Sequence, residues 1–81
     1  MGPSKHEIFE VVVDALVREF ELEPDALRPE SHLIDDLDLD SIDAIDLSVR
    51  LEEKIGVSFS EEDLKSLRTL QDVVDLIHER V

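Results

Sequence analysis

The chain has no cysteine, tryptophan or tyrosine, and only two glycines, three prolines and three phenylalanines among its 81 residues. Without cysteine it has no disulfide framework, no thiol chemistry and no thiolate metal site of its own. Three phenylalanines offer little surface for stacking on nucleic-acid bases. Cations are scarce as well. Eight Lys and Arg face 22 Asp and Glu, and the net charge of −14 argues against binding nucleic acid or an anionic membrane surface. No apolar run is long enough to span a bilayer and no signal-peptide core is visible, so stable membrane insertion is not expected and a cytoplasmic location is.

What remains is aliphatic and acidic. Hydrophobic residues make up 42% of the chain, enough to pack one small domain despite 37% charged residues. The acids are concentrated: residues 35–63 hold eleven against Arg50 and Lys54, giving that segment −9. A local field of this kind speeds encounter with basic partners.

Helical periodicity dominates. Ser4-Lys5-His6-Glu7 reads as a capping box, after which Ile8, Val12, Leu16 and Phe20 recur every fourth residue with Phe9 and Val13 beside them. Residues 21–40 form a long connection with Pro24 and Pro29, a short helical turn near Asp25–Leu27, and Leu22, Leu27, Leu33, Ile34 and Leu37 as expected anchors. A second helix should run from Ser41 to Ile55, capped by Asp40 and stopped by Gly56. Ser60 opens a short third helix ending near Leu67, and Thr69 a fourth carrying Leu70, Val73, Val74, Ile77 and Val81. Val57-Ser58-Phe59 could be briefly extended. The fold class is therefore all-α, with four helices.

On the second helix, Ala44, Leu47, Leu51 and Ile55 share a core side at about 100° per residue. Ile42, Ile45 and Val49 form another stripe, bordered by Asp46, Glu52 and Glu53. Partial exposure is expected for Ile42 and Val49, since the neighbouring carboxylates are costly to bury unpaired. Ile45 fits packing or exposure equally. An exposed apolar stripe with an acidic rim suits docking on a basic partner.

Other chemistries fail on spacing. An EF-hand loop from Asp36 would find Ser41 where glycine is needed and Leu47 where glutamate is needed. His6, His32 and His78 have no metal-ligand spacing. His32 is the one candidate base near Ser41, and no glycine-rich oxyanion loop or Gly-x-Ser-x-Gly elbow accompanies it.

The run Asp40-Ser41-Ile42-Asp43, between a long loop and an acidic helix, resembles the phosphopantetheine attachment motif of acyl carrier proteins, usually Asp-Ser-Leu. Glu52-Glu53-Lys54-Ile55-Gly56-Val57 and Thr69-Leu70-Gln71-Asp72-Val73-Val74 resemble the same family. The likeness implies a single four-helix carrier domain over residues 1–81. The opening Met1-Gly2-Pro3 is expected to be disordered or foreign to it. The likeness also implies a monomeric, non-catalytic carrier whose Ser41 receives 4′-phosphopantetheine from a phosphopantetheinyl transferase. The terminal thiol of that arm would hold acyl groups as thioesters for acyl-processing enzymes of fatty-acid or polyketide/polyene-type synthesis. Asp40, Asp43, Asp46 and Glu53 would meet basic partner surfaces, Ile42 and Val49 would add apolar contacts, and a core lined by Ile45, Leu47, Leu51, Phe59 and Leu67 would shelter the acyl chain. Asp38 stands where the family often has glycine, Ile42 where leucine is common, and Arg50 interrupts an acidic helix, next to an Asp46 that can pair with it. These departures lean toward a specialised pathway. The alternative is a small acidic interaction module that is never modified.

Overall fold

A computed structural model describes residues 2–81. The order of elements is α1 (Lys5–Phe20), a 3₁₀ turn (Pro24–Ala26), α2 (Ser41–Ile55), α3 (Glu61–Ser66) and α4 (Leu70–Arg80). All four α-helices begin the same way. An extended residue (Ser4, Asp40, Ser60 or Thr69) accepts from the backbone N–H three positions on, and the acid there (Glu7, Asp43, Asp63 or Asp72) accepts from the cap's own N–H. Each box satisfies two donors that a helix start would otherwise leave open. α2 stops at Gly56, whose φ of 82° lets its N–H reach the Glu52 carbonyl oxygen at 2.8 Å. Nothing lies within 4 Å of where its Cβ would stand, so the backbone angle alone accounts for glycine there.

The core joins Ile8, Val12, Ala15 and Leu16 of α1 to Leu47 and Leu51 of α2 and to Leu70, Val73, Val74 and Ile77 of α4. α3 buries no residue fully. Ala44, Ile55, Phe9, Val13 and Phe20 are half-buried at the margins of their stripes. Val81 caps α4 and is 45% exposed, so the apolar stripe ends at Ile77.

The long connection is held by its own side chains, as a structured loop must be. Leu27, Leu33, Leu37 and Leu39 are buried, and Ser31 is buried with its Oγ donating to the Ala26 carbonyl and accepting from the Arg28 N–H. Its backbone is pinned to the start of α4: Leu33 N–H donates to Arg68, Leu70 N–H to Ser31, and Gln71 N–H to Pro29. The isolated antiparallel bridge His32–Thr69 lies here, whereas residues 57–60 pair with no strand. The anchor set needs one correction. Ile34 is 60% exposed, and Leu39 takes the buried place it was expected to hold.

Candidate functional site

The chain approaches α2 through a left-handed residue. Asp38 has φ 59°, a conformation that aspartate adopts more readily than most side chains. Glycine would adopt the same angle freely. The turn lets Leu37 and Leu39 both enter the core, with Leu39 N–H bonded back to the Leu33 carbonyl oxygen. Asp40 then lies extended, accepts from Asp43 N–H at 2.9 Å, and leaves Ser41 as the first residue of a 15-residue helix. The Ser41 side chain is exposed and its hydroxyl makes no hydrogen bond to another described residue. Esterification there displaces no contact. The first two N–H groups of the helix have no intrahelical acceptor, so an anionic group carried on this hydroxyl would be favoured by free donors nearby and by the positive end of the helix dipole.

Ser41 also stands at the mouth of a cleft of about 280 Å³ between α2 and α3. Ile45, Leu47, Leu51, Phe59 and Leu67 line it, as expected from sequence, together with Leu33, Ile34, Leu39, Leu64 and Val73. The volume lies just below the usual range of small-ligand pockets and its walls are largely apolar, which suits a flexible hydrocarbon tail. Ile34 thus leaves the core to line the cleft, and Leu64 of α3 joins it. No short-range pattern marks either role.

The cleft wall formed by α3 is tied down from a distance. Arg80 at the end of α4 forks onto both carboxylate oxygens of Asp63 at 2.7 and 2.9 Å and reaches the Ser58 carbonyl oxygen at 2.8 Å. That guanidinium, with the Ser60 backbone N–H, lowers the Asp63 carboxyl from 3.8 to about 2.

The second stripe of α2 faces outward. Ile42 is 72% exposed, Ile45 54% and Val49 47%, and Asp46 and Glu53 are exposed among them. Asp43 is half-buried by its capping bond. On the flank toward α1, Arg50 lies between Glu19 (3.4 Å) and Asp46 (3.7 Å), and Lys54 reaches Asp14 at 3.5 Å.

A serine-nucleophile arrangement does not form. His32 Nδ1 accepts from the backbone N–H groups of Ile34 and Asp35, and His32 is absent from the cleft that Ser41 lines. Among the described residues no group of three or more His, Cys, Asp or Glu is placed to hold a metal ion, and no helix is long and apolar enough to cross a membrane.

Comparison with known proteins places this geometry. The family described as a phosphopantetheine attachment site matches residues 10–77. Acyl carrier protein 2 of Ralstonia nicotianae is 41% identical over 91% of both chains. The meromycolate extension acyl carrier protein of Mycolicibacterium aurum is 38% identical over 95% of this chain and 79% of its own. The acyl carrier protein of Thermosynechococcus vestitus is 35% identical over 96% of both. With a matching motif, a four-helix fold and relatives aligned along nearly its whole length, the chain belongs to the acyl carrier protein family, non-catalytic carriers that bear covalent 4′-phosphopantetheine and serve acyl-processing enzymes.

Proposed function

We propose that Ser41 is the attachment point of 4′-phosphopantetheine and that the protein, as a cytoplasmic monomer, carries acyl intermediates between enzymes of fatty-acid or polyketide/polyene-type synthesis. The observation that carries this reading is the position of Ser41, exposed at the first turn of α2 and on the rim of the apolar cleft. The arm supplies a terminal thiol that holds an acyl group as a thioester, which the cysteine-free chain otherwise lacks. The protein's own residues do the rest. Asp40 and Asp43 fix the helix start that presents Ser41, and the cleft shields an apolar tail from water. Ile42 and Val49 form the apolar centre of a docking face, and Asp40, Asp43, Asp46 and Glu53 supply a carboxylate rim for the transferase and acyl-processing enzymes. Likeness to a carrier named for meromycolate extension, alongside Asp38, Ile42 and Arg50, supports a specialised pathway over a housekeeping one.

Intact mass after incubation with coenzyme A and a broad-specificity phosphopantetheinyl transferase tests the assignment. One phosphopantetheine should be gained by the natural chain and none by Ser41→Ala, with an unchanged melting temperature because a first-turn surface serine contributes little stability. Continued labelling of Ser41→Ala would place the arm elsewhere.

A further inference from the structure

Arg50 stands apart among the ion-paired arginines. Arg18 and Arg80 make well-aligned hydrogen bonds to their carboxylates. Arg50 sits between two carboxylates, Glu19 of α1 and Asp46 of its own helix, and bonds geometrically to neither: its Nε–H is buried without a hydrogen-bond partner. Its side chain remains 42% exposed, beside Val49 and one turn before Lys54. Asp43, Asp46 and Glu53 surround it on the outward side of α2. One cation shared by two acids is held by charge alone, so either acid can keep it when the other is engaged elsewhere.

We propose that Arg50 selects the partners of the α2 docking face by competing with their cations for Asp46; this rests on the docking face described under the proposed function. A lysine or arginine arriving opposite Asp46 must take that carboxylate from Arg50, which keeps Glu19 at 3.4 Å, and then remain beside a like charge. Asp43 carries no such competitor, because its carboxylate is engaged only by the Asp40 backbone N–H. The face therefore presents an acidic end near Ser41 and a partly neutralised stretch one to two turns beyond. It fits a protein partner whose basic groups cluster opposite Asp40 and Asp43 and whose surface opposite Asp46 and Arg50 is neutral or acidic. A uniformly basic surface is penalised there.

Two probes test this. Hexalysine, titrated against the protein and followed through the backbone amide signals of Asp46 and Val49, reads the competition without any need for modification. Arg50→Gln should tighten the response at those amides about three- to fivefold in low salt, whereas Lys54→Gln, the same change of charge in a pair with Asp14, should move it less than about twofold. Glu19→Gln should weaken it by leaving Arg50 wholly on Asp46. The transferase reaction with coenzyme A reads the same effect on a protein partner: Arg50→Gln should raise kcat/KM through KM, with kcat unchanged and the gain erased by high salt. Equal responses of Arg50→Gln and Lys54→Gln to hexalysine, or tighter binding by Glu19→Gln, would overturn the proposal. Absence of any mass gain in every variant would instead overturn Ser41 modification and leave the hexalysine result to decide this inference.

Discussion

At the scale of single residues, several side chains hold positions that their chemistry explains. Asp38 pays a modest strain for its positive φ, and glycine adopts that angle freely while costing more entropy on folding. The two effects partly cancel. Asp38→Gly should stabilise the protein by about 0.5 kcal/mol, a rise of about 3 °C in melting temperature, and Asp38→Val should lower it. The Asp63–Arg80 fork gives a pH signature. The Asp63 carboxyl titrates at about 2 when folded against 3.8 ordinarily, so its stabilisation is complete above the ordinary value and is lost as pH falls through about 2. Melts of the natural chain and Arg80→Gln should differ at neutral pH and converge toward pH 2. A constant gap across that range would show that the arginine acts through packing instead.

At the scale of elements, the helices were legible because their starts and stops are written in short-range chemistry. A capping residue, an acid three positions later and a glycine at Gly56 mark boundaries without reference to the rest of the fold. Exposure of Ile42 and Val49 followed equally from helical spacing and the cost of burying carboxylates. The long connection was harder to read, since its leucines follow no period. The left-handed turn at Asp38 decides that Leu39 points inward, and the pairing with α4 helps set the path on which Ile34 points out. The Arg80–Asp63 and Arg50–Glu19 contacts join residues far apart in sequence, and no local pattern announces them. The corrected anchor is directly measurable. Leu39→Ala should cost about 3 kcal/mol through loss of burial and a residual cavity, whereas Ile34→Ala should stay within about 0.5 kcal/mol. Denaturant titrations of the two variants compare them, and similar losses would return Ile34 to the core.

At the scale of the whole molecule, charge and volume dominate. A domain of −14 with eleven acids in residues 35–63 repels itself, although five of its eight Lys and Arg side chains are already engaged by carboxylates. Added salt or millimolar magnesium should therefore raise the melting temperature above its value in dilute buffer. A melting temperature indifferent to both would mean that the charge serves recognition without straining the fold. The cleft below Ser41 has a consequence of another kind. An apolar recess of about 280 Å³ is space that unfolding abolishes, and hydrostatic pressure favours whichever state occupies less volume. The empty carrier should thus be the more compressible form, and a hydrocarbon tail that fills the recess should harden it. Resistance to pressure then becomes a gauge of cargo, separating a carrier whose tail is tucked inside from one whose tail lies in water.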